Sequence, residues 1–197
     1  MLRISQIKEL PRDGYLLFML GSYAPFHEGH NDAITSAERA FIEAGHTLAG
    51  VIIAPHSDLY VSTKIHNSNW DINRRISEIT KATIDCSSPV YLDDISCYQP
   101  VKKNGTRIVI NTLKKLELDK RRIAIAVGAD NLASMAPYIG SYKIVCVRRP
   151  GYDTSLSILQ MNENFINNTS NLIIADRKEA KKDINSTTIR AEIGFND

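Results

Sequence analysis

Six short apolar runs, rich in β-branched residues, recur along the chain: Tyr15–Leu20, Leu48–Ala54, Val90–Leu92, Ile123–Val127, Lys143–Val147 and Asn171–Ala175. Runs this short and this continuous predict strands buried on both faces. Longer mixed segments between them predict helices over about Gly29–Ala44, Asp71–Asp85, Thr106–Leu116, Asp130–Tyr138 and Thr154–Phe165, with a last one starting at Ser186. Strand followed by helix, several times over, predicts an α/β fold, a parallel sheet with helices on both faces. In such sheets ligands bind beyond the carboxyl ends of the strands. Function is therefore sought in the residues that follow each run.

The first run is followed by GSYAPFHEGH, from Gly21 to His30. Gly21 lets the chain turn sharply or approach a ligand closely, and Pro25 stiffens the loop. Gly21, Ser22 and Tyr23 present backbone N–H groups at a strand end. His30 falls in the first turn of a helix whose N-terminus attracts anions. His27 and His30 stand three apart and can face the same way. Two imidazoles there suit a phosphate, because each can donate a hydrogen bond to an oxygen carrying developing charge. A capping His and a metal-binding His pair are the alternatives.

Three further stretches carry comparable chemistry. In DINSTTIR, from Asp183 to Arg190, Ser186 is a natural N-cap with Thr187 and Thr188 in the first turn. This offers a second helix N-terminus to an anion. Arg190, within about one turn, can make two parallel hydrogen bonds to a phosphate; a capped helix with a solvated arginine is the plainer alternative. Val127–Asn131 (VGADN) is again a strand end leading into a helix, where Asp130 either binds a ribose hydroxyl or caps the helix. Val147–Tyr152 (VRRPGY) puts an arginine pair at a strand end, to meet a phosphate or to form a solvated turn. Neither GxxxxGK[ST] nor GxGxxG is present. The residues suit charge stabilisation without a covalent nucleophile, which is what transfer between two phosphorylated substrates mostly requires.

Composition narrows the classes. The 197 residues fit one domain, expected to span 1–197 with 1–14 as an N-terminal extension. A net charge of +2, with scattered Lys and Arg, gives no argument for a nucleic-acid partner. Cys86, Cys97 and Cys146 have no metal spacing and no disulfide framework, which favours a reducing compartment. No signal peptide and no run of roughly 18 apolar residues is found, so the expected location is cytoplasmic, away from the membrane.

GSYAPFHEGH resembles the GxFxPxHxGH motif of the nucleotidyltransferases related to class I aminoacyl-tRNA synthetases, and INSTTIR resembles their second motif, ISxTxIR. GADN and RRPGY are similar, in order and position, to segments of the nicotinate/nicotinamide mononucleotide adenylyltransferases within that HxGH superfamily. The resemblance implies a Rossmann-like parallel sheet flanked by helices. It implies adenylyl transfer from ATP to a pyridine mononucleotide in NAD biosynthesis, with Mg²⁺ held mainly by the ATP phosphates. Homo-oligomers occur in the family. Carried over residue by residue, His27, His30 and Arg190 are the catalytic group. Gly21, Ser22, Tyr23, Lys64, Arg149, Ser186, Thr187 and Thr188 are the ATP and phosphate contacts. Gly128, Asp130 and Trp70 are the mononucleotide contacts, with Trp70, the only tryptophan, as a stacking candidate or a packing residue. The chain departs from the pattern around the acceptor. Only Asn111-Thr112-Leu113 fits the family's SYTxDTL-like segment, and Met135-Ala-Pro-Tyr138 replaces its Trp-Tyr pair. Phosphopantetheine as acceptor, a cytidylyltransferase, and a nucleotide-binding sensor without turnover remain as rivals.

Overall fold

Alternate residues of each run point to opposite faces, and both faces are covered. Leu16 and Phe18 are fully buried on one side of the first long strand, with Ile52, Ile125 and Ile144 of its neighbours. Leu17 and Met19 are buried on the other, with Val51, Ile53, Ala124, Ala126 and Val145. That double burial is why the runs are continuous rather than alternating. The computed structural model describes residues 1–7, 10–65, 69–99, 110–112, 115–116, 122–149, 167–177 and 189–191.

The strands are β1 (Leu2–Arg3), β2 (Tyr15–Gly21), β3 (Leu48–Pro55), β4 (Val90–Leu92), β5 (Ile123–Gly128), β6 (Lys143–Val147) and β7 (Leu172–Ala175). They form one sheet in the order β1-β4-β3-β2-β5-β6-β7, parallel throughout. The chain builds outward from β2 through β3 to β4, then returns to β2's other side for β5 and builds out to β7. β2 and β5 therefore flank the point where strand order reverses, the place where such sheets open a crevice for ligands.

Helices cover the faces. α1 (Glu28–Glu43) packs against β3, β6 and β7, burying Ile34, Ala37 and Phe41. Gly45, at φ +83°, follows its C-terminal turn in the left-handed region that stops helices. The short α2 (Asp58–Val61) is capped by Ser57, whose side chain accepts from the Tyr60 N–H. α3 (Ile72–Lys81) is capped by Asp71, whose carboxylate accepts from the Arg74 N–H. Its buried stripe is Ile72, Arg75, Ile76 and Ile79.

Several elements depart from the sequence pattern. α1 begins one residue earlier than expected, because extended His27 is its N-cap. α3 ends at Lys81, four residues short of Asp85. Beyond it, α1 holds the chain extended: Asn31 accepts from the Asp85 N–H, and the Glu38 carboxylate accepts from the N–H groups of Ser87 and Ser88 and from the Ser87 hydroxyl. The helix expected over 130–138 is a 3-10 helix at Ala129–Met135. Asp and Asn at its start compete for backbone partners, and Pro137 cannot donate to a continuing α-helix. Ahead of β2 the chain adds an edge strand. β1 pairs with β4, Ser5 N–H donates to Asp94 at 2.9 Å, and Ile4 and Leu10 join the core. The helix expected over 154–165 lies outside the described residues. Of those expected over 106–116 and from Ser186, only 110–112, 115–116 and 189–191 are described, all helical. No described helix is long and apolar enough to cross a membrane.

Candidate active site

The loop after β2 is folded by a tyrosine. Tyr23 adopts φ +51° and turns its ring back over the strand end, where its hydroxyl donates to the Met19 carbonyl at 2.7 Å. A Cβ on Gly21 would lie 2.7–3.0 Å from three atoms of that ring, so only glycine fits there. Burial drives the Tyr23 pKa far up, keeping the phenol a permanent donor. The loop's carbonyls are taken from outside. Gly21 accepts from the His56 N–H at 2.9 Å, Ser22 from Arg75 at 2.9 Å, and Ala24 from Arg190 at 2.7 Å.

Arg75, on α3, is fully buried, with every guanidinium nitrogen bonded. Nε donates to the Trp70 carbonyl at 2.9 Å, Nη1 to the carbonyls of Ser22 and His56, and Nη2 to Asp58 at 2.6 Å. One side chain thus ties the ends of β2 and β3 together. Arg75 lies in no motif, although an arginine on the apolar stripe of an amphipathic helix is a readable signal.

His27 and His30 meet at the N-terminus of α1, ring centroids 3.8 Å apart. His30 Nδ1 accepts from the His27 backbone N–H at 3.3 Å. In the neutral ring that leaves the proton on Nε2. Phe26 stacks on His30 and the Tyr23 ring meets it edge-on. Burial, then the charges of Arg177 and Arg149, lowers the His27 pKa to about 4. His30 is pushed well below its usual value by burial, then by His27, Arg177 and Arg149. Both imidazoles are neutral near pH 7, and each brings one N–H.

These groups open on a cavity of about 430 Å³ at the C-terminal ends of β2 and β5, where the strand order reverses. Its lining brings together Gly21, Ser22, Tyr23, His27, His30, Lys64, Gly128, Asp130, Arg149 and Arg190. The size suits a nucleotide-scale ligand. Arg190 is buried and bonded to the loop of the first motif across 166 positions of sequence. Asp130 lies 3.6 Å from the Arg149 guanidinium. Lys64 Nζ stands 4.7 Å over the Tyr60 ring. Ser186, Thr187 and Thr188 lie outside the described residues. Trp70 does not line the cavity. It packs with Ala24, Val61 and Ile65 behind the loop, covered by the Arg74 guanidinium 3.9 Å from its ring. Among the described residues no group of three or more His, Cys, Asp or Glu gathers to hold a metal.

Two more arginines line the cavity, Arg148 of the RRPGY segment and Arg177, which lies in no motif. Arg148 pairs with Asp176 at 3.0 Å, and Arg177 with Asp32 of α1. Both follow apolar runs, so the rule that ligands bind beyond strand ends pointed at them. The cysteines take no part: Cys86 is half-buried, while Cys97 and Cys146 are buried, their thiols pushed up by burial to about 12 and about 11.

A model of the cytidylyltransferase-like family matches residues 18–192. No curated protein matches the sequence. Solved structures that share the fold include two of one enzyme. The Plasmodium falciparum nicotinic acid mononucleotide adenylyltransferase complexed with NaAD matches at TM-score 0.63 and 12% identity, covering 93% of this chain and 86% of that one. The same enzyme complexed with APC matches at TM-score 0.61 and 12% identity, covering 90% and 83%.

Proposed function

The chain belongs to the cytidylyltransferase-like family, and from that premise we propose that it transfers the adenylyl group of ATP to nicotinate or nicotinamide mononucleotide, forming the dinucleotide and pyrophosphate. The observation that carries this reading is the meeting of the two motifs. The buried Arg190 guanidinium donates to the Ala24 carbonyl, inside the loop that presents His27 and His30.

The chemistry follows from the charges. A phosphate oxygen of the acceptor attacks the α-phosphorus of ATP, a new P–O bond forms, and the bond to the β-phosphate oxygen breaks as pyrophosphate leaves. An acceptor phosphate at neutral pH already carries an anionic oxygen, so no general base is needed. The protein's work is positioning and electrostatic stabilisation. His30, with its Nε2 proton fixed by the bond at Nδ1, and neutral His27 donate to oxygens of the transferred phosphate. Lys64, Arg149 and Arg190 line the walls where polyphosphate charge would lie. Among the described residues the cavity lining holds one carboxylate, Asp130, which stands beside Arg149, so this lining fits Mg²⁺ arriving on the triphosphate better than a cage of protein ligands. Mg²⁺ bound there supplies charge neutralisation.

The test is pyrophosphate release from ATP or CTP, each offered with nicotinate mononucleotide, nicotinamide mononucleotide or phosphopantetheine. Release from ATP with either pyridine mononucleotide is expected. Release only from CTP, or only with phosphopantetheine, would replace this reading with that activity. MgATP binding without release in any arm would leave a nucleotide sensor.

A further inference from the structure

We propose that Arg177 is a further catalytic residue, its guanidinium aimed by Asp32 to bind the polyphosphate of the nucleotide substrate from the β7 side of the cavity. This rests on the reading of the cavity as a nucleotidyltransferase centre. The residue lies two positions beyond β7, at the far edge of the sheet. Its side chain nevertheless returns to line the cavity with His27 and His30.

Three observations carry the inference. The Arg177 side chain is 11% exposed and that of Asp32 23%, so the pair stands largely out of bulk solvent. Nε donates to Asp32, on α1 two residues beyond His30, and among the described residues the Nη nitrogens have no hydrogen-bond acceptor. A guanidinium has five N–H donors. Arg75, fully buried, has all three nitrogens bonded to acceptors. Among the described residues, Arg177 therefore brings a half-buried cation with donors in reserve to the wall of a cavity, held from behind by a carboxylate. An anion with several oxygens is the ligand that satisfies such a group. Its charge is also felt by both imidazoles, which places it near the atoms that the histidines address.

The arrangement divides the cationic lining between two walls. Lys64 and Arg190 stand on the side of β2 and β3, while Arg148, Arg149 and Arg177 stand at the ends of β6 and β7. A leaving pyrophosphate between the walls is met from both sides, and Asp32 keeps Arg177 from swinging to solvent before the substrate arrives.

The experiment compares wild type with Arg177→Gln, Arg177→Lys and Asp32→Asn. It measures kcat for pyrophosphate release with the accepted mononucleotide, MgATP affinity by calorimetry, and melting temperature. Arg177→Gln is expected to lower kcat by roughly 10²–10³ and to weaken MgATP at least about tenfold, with a melting temperature within a few degrees of wild type. Arg177→Lys is expected to recover part of both losses, since it restores charge but not the fork. Wild-type kcat and MgATP affinity in Arg177→Gln would overturn the proposal. So would losses matched in all three variants and accompanied by equal falls in melting temperature, since these would make the pair only structural. If wild type binds MgATP but turns over no mononucleotide, the acceptor reading falls while the affinity comparison still decides Arg177. If wild type binds no MgATP, both fall.

Discussion

A single hydrogen bond sets the protonation of His30. Because Nδ1 accepts from the His27 N–H, the neutral ring must carry its proton on Nε2. His30→Ala removes that donor while leaving α1 its Ala-compatible first turn. Pyrophosphate release is expected to fall by roughly 10²–10³, with an unchanged circular dichroism spectrum; near-wild-type turnover would refute the role. Gly21 is constrained differently. Gly21→Ala puts a methyl within 2.7 Å of the buried Tyr23 ring. That ring cannot yield without breaking its bond to Met19, so the expected cost is about 1–3 kcal/mol, read in urea melts together with weaker MgATP binding. A stability equal to wild type would mean that the loop repacks freely. These two contacts show where residue types alone run out. Both histidines and Gly21 were legible from the motif, but the backbone bond and the ring that define their tasks exist only once the loop closes.

At the scale of elements, α1 and α3 each do two jobs. α1 buries Phe41 and Ile34 against the sheet, presents the histidines from its first turn, and uses Glu38 to hold the segment after α3. α3 sends Arg75 through the layer to the loop of the first motif. Arg75→Met would leave Asp58 without its cation and three carbonyls without a donor. Asp58 is half-exposed and can be hydrated, but a buried acceptor left without its donor costs about 1–3 kcal/mol, so the urea midpoint is expected to fall. A variant no less stable than wild type would show that the network breaks even against an apolar side chain. Asp71→Ala, which removes only the α3 cap, is expected to cost about 1 kcal/mol in the same melts. The early end of α3 was hidden from periodicity because α1 side chains outside the local window hold the chain beyond Lys81, and the 3-10 turn after β5 because apolar spacing takes no account of Asp130, Asn131 and Pro137.

For the molecule as a whole, buried neutral histidines make stability depend on pH. Burial, then Lys64 and Arg75, lowers the His56 pKa to about 3, and His27 is lowered to about 4. In the unfolded chain a histidine takes up its proton near pH 6.5. Between pH 6.5 and these lower values the unfolded state holds more protons, so stability is lost as the pH falls through that window. The melting temperature is expected to drop from pH 6.5 downward, and His56→Gln is expected to flatten part of the slope; an identical slope would remove His56 from the account. Ligand acts in the opposite sense. At 100 times its dissociation constant, MgATP should add about 2.7 kcal/mol to stability, visible as a rise in melting temperature at pH 7.

The six principal strands, the parallel sheet and the loop of the first motif were written in the sequence, because strand runs buried on both faces and glycine- and histidine-bearing strand ends are local patterns. The edge strand β1 was not, since two residues without an apolar run pair only because β4 offers an open edge. Tertiary structure alone decided that Trp70 packs behind the loop instead of facing the cavity. It also decided that Arg75 braces that loop, and that Arg177 returns from the sheet's far edge to the histidines. Each of these depends on elements distant in sequence meeting at one end of the sheet. Burial and partner geometry are properties of that meeting, and no window along the chain contains them.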